Sequence, residues 1–254
     1  MSKFVDELGR TYRPVAPSMG FRKDTDVSKK PPLLLIADLT AKTVKDIKAI
    51  IEVGVDAVLT RGAGSKPDAM QKLLKNAGEV PAGLLIDDDN WSNYVEFLQS
   101  GCDFVICDSR VPVSVITGDG LGRILRIEPS LAPGMIRAIN ELSLSIDCVL
   151  VDSEDTTITV ERLLVSQHIS GIIGKPLMVK VGTQLTAVEL QGLYEAGVRG
   201  LLLAREVSAK TLSEFKQLID NMPRTIRKKQ QSNVILPQMK RDTEIEMEEE
   251  EDDI

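Results

Sequence analysis

Histidine is almost missing from this chain: 254 residues contain one, His168, and only three cysteines, Cys102, Cys107 and Cys148. Zinc and many iron sites are built from these residue types, so the shortage argues against both. The histidine lies in Val165-Ser166-Gln167-His168-Ile169, late in a helical pattern and away from strand ends, which suits a surface or helix-terminal side chain. The cysteines fall on or beside strand-like runs without C-x-x-C spacing, the pattern of buried reduced thiols. Long apolar runs are also lacking. The longest has only a strand's length, far short of the ~20 residues that cross a bilayer, and Met1-Ser2-Lys3 is polar where a signal peptide would be apolar. The expectation is a soluble cytoplasmic protein with no membrane partner. A positive excess is absent too, and a net charge of −7 argues against nonspecific nucleic-acid binding.

What the chain does contain is a rhythm. Eight strand-like apolar runs, at residues 33–38, 57–62, 83–87, 104–108, 123–128, 148–152, 177–182 and 200–205, each close on or beside a charged or polar residue and are each followed by a helical pattern. A closed parallel barrel buries both faces of every strand, so its strands read as continuous Val/Ile/Leu runs. A short turn repeats before several runs: Val53-Gly54-Val55-Asp56, Ser100-Gly101-Cys102-Asp103, Ala196-Gly197-Val198-Arg199, and a glycine-free variant ending at Asp147. Glycine at the end of a helix takes the left-handed conformation without a Cβ clash, and the next apolar residue re-enters the core. The fold class this predicts is α/β, a (β/α)8 TIM barrel over residues 33–222. An extended N-terminal arm covers 1–32, where Pro14, Pro17, Pro31 and Pro32 resist regular structure, and a flexible tail covers 223–254.

In the tail, the last helix should end near residues 220–223. A basic cluster, Arg224, Arg227, Lys228 and Lys229, then precedes an almost wholly acidic stretch over 244–253. Charge blocks of this kind repel themselves and stay solvated, while Val234, Ile235 and Leu236 form an apolar clip for the barrel, a protein partner or a second copy in a homo-oligomer. In the fourth unit, Pro112 and the nearby Gly118, Gly120 and Gly122 leave room only for a short or broken helix. That glycine spacing precedes a strand, where a dinucleotide loop would follow one, so it reads as a connection. The acidic run at 87–90 reads as helix capping.

Period-two alternation assigns faces to the strand ends. Met178, Lys180 and Gly182 share one face of the seventh strand, Ile124, Arg126 and Glu128 one of the fifth, and Leu150, Asp152 and Glu154 one of the sixth. Asp38, Asp87, Asp108 and Arg205 end the first, third, fourth and eighth. A charge under the helix layer would be desolvated without relief, so these side chains should face the lumen near the open rim, where barrels carry their sites. Lys180 is the most pointed: it can hold a phosphate or carboxylate, or attack a carbonyl. Neighbouring carboxylates favour the ion-paired or anion-binding role, a neighbouring cation the nucleophilic one.

Leu177-Met178-Val179-Lys180-Val181-Gly182-Thr183, the helix over 187–196 and Gly197-Val198-Arg199-Gly200-Leu201-Leu202-Leu203 resemble the last quarter of phosphate-binding (β/α)8 barrels, including the class I deoxyribose-phosphate aldolase type and its ribulose-phosphate-binding relatives. The resemblance implies that Gly182 and Thr183, with Arg205, hold a substrate phosphate. Two features depart from the family. Strand six reads Cys148-Val149-Leu150-Val151-Asp152 and has no Schiff-base lysine, and Ala204-Arg205-Glu206-Val207-Ser208 replaces the glycine after strand eight. The expected function is a lyase or isomerase acting on a small anionic or phosphorylated metabolite. In it Lys180, Asp38 and Asp152 are catalytic, and Arg126, Gly182, Thr183 and Arg205 bind substrate. No cofactor is required, although Asp38, Glu128, Asp152 and Glu154 offer oxygen ligands to Mg²⁺. The alternative is a degenerate barrel serving as a ligand-binding or interaction scaffold.

Overall fold

Strands that are apolar on both faces need cover on both, and here a closed sheet provides it. β1 (Leu34–Asp38), β2 (Ala57–Arg61), β3 (Ala82–Leu85), β4 (Phe104–Cys107), β5 (Gly122–Ile127), β6 (Cys148–Val151), β7 (Leu177–Val181) and β8 (Val198–Leu203) pair in parallel in chain order. β1 returns to β8 through Leu34↔Gly200 and Ile36↔Leu202, which closes the barrel. The computed structural model describes residues 2–12, 31–40, 44–61, 76–87, 94–95, 98, 101–203 and 208–223. Its helices are α1 (Lys3–Tyr12), α2 (Val44–Glu52), α3 (Pro133–Glu141), α4 (Val160–Ile172), α5 (Ala187–Glu195) and α6 (Ala209–Asp220). The expected (β/α)8 architecture is the observed one. Between β4 and β5 only the 3₁₀ turn Val113–Val115 remains of a fourth helix, opened by Pro112. The last helix ends at Asp220, as expected.

Alternation divides the apolar side chains into two cores. Leu33, Leu35, Val58, Leu84, Val105, Val149, Val179 and Leu201 face the helices, joined there by Ile136, Ile169, Leu190, Leu212 and Phe215. Leu34, Ile36, Leu59, Leu85, Ile106, Ile124, Leu150 and Met178 fill the lumen. Among the described residues no helix is long and apolar enough to cross a membrane.

The recurrent turns behave as their glycines require: Gly54, Gly101 and Gly197 have φ of +85°, +98° and +95°. The aspartates that follow have a use the spacing alone did not reveal. Asp56 accepts from the Leu35 N–H at 2.8 Å and Asp147 from the Arg123 N–H at 2.8 Å, so each satisfies the start of the preceding strand.

Asp103 does the same for a helix. It accepts from the N–H groups of Lys3 and Phe4 at 2.8 and 3.0 Å and from the Ser2 hydroxyl at 2.7 Å, holding the N-terminus of α1 under the barrel. Residues 3–12 of the expected extended arm are therefore helical, which corrects the reading of that segment. The prolines that suggested extension lie at 14 and 17, outside the described residues, and at 31 and 32, directly before β1. Phe4 and Leu8, one turn apart, are completely buried in the lumen core and close the floor of the barrel. Glycines make room for Leu8 and for the neighbours of this pair. A Cβ on Gly83 would meet the Phe104 ring at 2.1 Å, one on Gly122 would meet Val5 at 2.6 Å, and one on Gly200 would meet Met178 at 2.7 Å and Leu8 at 3.3 Å. Phe4 in turn stacks on Phe104 with ring centroids 4.8 Å apart.

Candidate functional site

Phe4 and Leu8 fill the floor, and among the described residues the lumen opens at the C-terminal ends of the strands. There the lumen-facing column of seven strands ends in a charge: Asp38 (β1), Arg61 (β2), Asp87 (after β3), Asp108 (after β4), Arg126 (β5), Asp152 (after β6) and Lys180 (β7). Leu202 represents β8. Parallel register brings neighbouring columns level, so the charges interlock. Arg61 pairs with Asp38 at 3.5 Å and Asp87 at 2.9 Å. Arg126 lies 3.3 Å from Asp108 and 3.9 Å from Asp152, and the Lys180 ammonium donates to Asp152 Oδ1 at 2.8 Å. Arg110 adds a contact to Asp108 at 2.9 Å from the solvent side.

Inside this ring is a cavity of about 370 Å³, lined by the polar residues Asp38, Arg61, Arg126, Asp152, Glu154, Thr156 and Lys180 over a bed of Leu59, Leu85, Leu150, Leu202 and Leu203. The two ends of the ring differ in access. The Asp38 side chain is 5% exposed, accepts from the Thr40 N–H at 2.9 Å and serves as a counter-ion to Arg61. Asp152 and Lys180 are each 25% exposed, with Arg126 at 22% and Arg61 at 20%, so a ligand in the cavity can reach this pair and the two guanidinium groups beside it. Burial raises the pKa of Asp108, but hydrogen bonds from the side chain and N–H of Arg110 and the charges of Arg110 and Arg126 outweigh it, and its carboxyl lies below the ordinary range.

The loop after β6 is fastened by α4. Arg162 donates to the carbonyls of Asp155 at 3.1 Å and Thr157 at 3.2 Å, and a further contact reaches the Lys180 carbonyl. This one side chain ties the segment bearing Glu154 and Thr156 to the end of β7. Thr159 caps α4 by accepting from the Arg162 N–H.

Lys180, Asp38, Asp152 and Arg126, expected at the rim, all line the cavity. Gly182 and Thr183 do not. Gly182 lies against Thr156, whose Oγ1 a Cβ would approach to 2.9 Å, and Thr183 is exposed. Arg205 falls within residues 204–207, outside those described. Asp38, Glu128, Asp152 and Glu154 do not converge as a Mg²⁺ set. Asp38 and Asp152 are engaged by Arg61, Arg126 and Lys180, Glu128 is exposed and accepts from Ser130 at 3.4 Å, and no group of three or more metal-ligating side chains occurs among the described residues. His168 is exposed on α4. None of the three cysteines is in a disulfide, and burial pushes Cys102 up to about 12, Cys107 up to about 11 and the fully buried Cys148 well above the ordinary thiol value. Three residues of the site escaped the sequence reading: Arg61, Thr156 and Arg162. Alternation along Ala57-Val58-Leu59-Thr60-Arg61 would have found the first; no local pattern marks the other two.

No protein-family model matches the chain, and no curated protein matches it. Solved structures do. A mutant tryptophan synthase alpha-subunit from Pyrococcus furiosus is similar at 14% identity and a TM-score of 0.57, over 74% of this chain and 97% of that one. A chain of the P. furiosus tryptophan synthase a2b2 complex is similar at 14% identity and a TM-score of 0.55, over 74% and 96%. A chain of M. tuberculosis tryptophan synthase in an open form with BRD0059 bound is similar at 12% identity and a TM-score of 0.57, over 84% and 96%. At such identities the likeness is one of fold: the chain is a (β/α)8 barrel like these subunits.

Proposed function

We propose that this barrel is an aldolase-type lyase or isomerase that acts on a small anionic or phosphorylated metabolite at its C-terminal mouth. The observation that carries the reading is the Lys180–Asp152 pair, which lines a cavity beside Arg126 and is reachable from solvent. Lyases and isomerases of this class share an enolate with negative charge on the carbonyl oxygen: an isomerase forms it by removing the proton from the carbon beside the carbonyl, an aldolase by removing the proton of the β-hydroxyl as the carbon–carbon bond breaks. Asp152 is the base that takes the proton. Lys180 and Arg126, on the flanking strands, stabilise the oxyanion. In an isomerisation the proton returns to the neighbouring carbon; in a cleavage the hydroxyl-bearing carbon leaves as an aldehyde or ketone and the proton returns to the enolate carbon. Asp38 holds Arg61 in place and is the second candidate for proton transfer. Gly182, Thr183 and Arg205 are the proposed contacts of a phosphate group. The ion pair supports an electrostatic role for Lys180 over Schiff-base formation, because an ammonium has no lone pair with which to attack.

The test is incubation of the protein with a small-molecule extract, followed by mass spectrometry for a compound that disappears as another appears. Turnover should vanish in Lys180→Met and Asp152→Asn, with both variants still folded. Borohydride trapping with aldehydes and keto acids should leave Lys180 unmodified.

A second reading, a ligand-binding or interaction scaffold, is favoured by the same ring, since each of its three cations, Arg61, Arg126 and Lys180, already has a carboxylate partner. A compound that binds and is recovered unchanged selects that reading. We propose further that residues 223–254, with the apolar Val234, Ile235 and Leu236, serve a protein partner or a second copy. Removing 224–254 should change the assembly size and leave the barrel folded.

A further inference from the structure

Charge balance at the mouth constrains the ligand more narrowly than its anionic group does. Five carboxylates, Asp38, Asp87, Asp108, Asp152 and Glu154, stand around four cations, Arg61, Arg110, Arg126 and Lys180, each of the four in an ion pair. Glu154 differs from the other four. It lines the cavity, is exposed, and has no ion-pair partner among the described residues. A ligand that was only an anion would have to draw Lys180 away from Asp152. It would leave that carboxylate uncompensated beside Glu154, two residues along the same loop, in a mouth where negative groups already outnumber positive ones. Removing one partner of a partly buried pair is costly, whereas replacing it is not.

Resting on the reading that an anionic metabolite binds here, we propose that this metabolite is zwitterionic: it carries an ammonium that takes the place of Lys180 between Asp152 and Glu154, while an anionic oxygen of the same molecule takes the place of Asp152 at Lys180 and Arg126, the groups that hold the oxyanion. The exchange leaves every charge paired, and the Arg162 anchor keeps Glu154 and Thr156 on the loop that faces β7. The cavity of about 370 Å³ suits a compound of small-metabolite size. The leucines beneath, Leu59, Leu85, Leu150 and Leu202, offer its carbon skeleton an apolar bed.

Matched probes separate this from simple anion binding. The full chain is titrated calorimetrically with O-phosphoethanolamine against ethyl phosphate, and with 4-aminobutyrate against butyrate, at low and moderate salt. The expected result is that at least one amine-bearing member binds about tenfold or more tightly than its amine-free counterpart, a difference of about 1.4 kcal/mol. Glu154→Gln, which alters an exposed side chain and should fold normally, should remove most of that preference and leave binding of the amine-free member unchanged or tighter. If ethyl phosphate or butyrate binds as tightly as its partner and Lys180→Met abolishes binding, the zwitterion inference is overturned and the anionic-metabolite reading survives. If an amine preference persists undiminished in Glu154→Gln, the inference is also overturned. If no member of either set binds at millimolar concentration, both readings fall and the ring is a structural salt-bridge network.

Discussion

Replacing Phe4 by alanine would test whether α1 is part of the barrel's core. The ring is fully buried and stacks on Phe104, whose own ring lies against Gly83. Truncating a phenylalanine in such a site costs about 3–5 kcal/mol through lost burial and an unfilled cavity. That is a large share of the 5–15 kcal/mol that typically separates folded from unfolded chains. If the helix leaves altogether, Leu8 is exposed as well, adding about 1.5–3 kcal/mol. Phe4→Leu keeps most of the volume and should cost less than about 1.5 kcal/mol. Urea unfolding followed by circular dichroism should show the Phe4→Ala midpoint falling by about 1–3 M, with Phe4→Leu between it and the unaltered protein. A double-mutant cycle with Phe104→Ala should return a coupling of about 0.5–3 kcal/mol. A Phe4→Ala loss below about 0.5 kcal/mol would refute the reasoning, because it would mean that the lumen floor packs without the helix.

Other outcomes follow from the same geometry. Gly122→Ala forces a methyl group against Val5 and Ser2 and should loosen α1, read as faster amide hydrogen exchange over residues 3–12 with the strand amides still protected. Asp108 has a folded pKa below its ordinary value of 3.8, so it contributes stability above that value, and this is lost as pH falls through the lower folded one. Asp108→Asn should therefore flatten the acid limb of a plot of unfolding free energy against pH; an unchanged slope would refute the assignment. The native thiols should resist an aromatic disulfide reagent at about pH 8, where an ordinary thiol of pKa ~8.5 is partly ionised. All three should react in denaturant, and rapid native reaction of Cys148 would contradict its burial.

The strands were legible because a closed parallel sheet leaves no strand a wet face, so burial is written as unbroken runs. The candidate site was legible for a related reason: Asp38, Arg126, Asp152 and Lys180 are charges at ends of such runs, where only the open mouth relieves them. Pairing was harder to read. That Lys180 meets Asp152 depends on β6 and β7 aligning Leu150 with Met178, a register that neither strand specifies alone. Arg61 is masked by a run that continues to Gly62, although alternation along the strand places it on the lumen face. The helix at residues 3–12 was concealed by attention to the prolines after it, while Phe4 and Leu8 carried an i, i+4 signal. Gly182 illustrates a glycine whose neighbour, Thr156, comes from another loop; its family resemblance pointed to a phosphate, and its packing points to that side chain.

The buried floor also bears on how the chain reaches its folded state. A ten-residue helix is too short to persist alone in water. The groups that hold α1 come from far along the chain: Ser2 meets Asp103 across 101 positions, and Tyr12 reaches the Ile173 carbonyl across 161. The socket for α1 takes shape only after β4, β5, β7 and β8 have found their places, so the segment that comes earliest in sequence is among the last to become ordered. Substitutions in it should consequently accelerate unfolding while hardly slowing folding. α1 covers the apolar underside of the barrel, so a variant that loosens the helix should associate more readily.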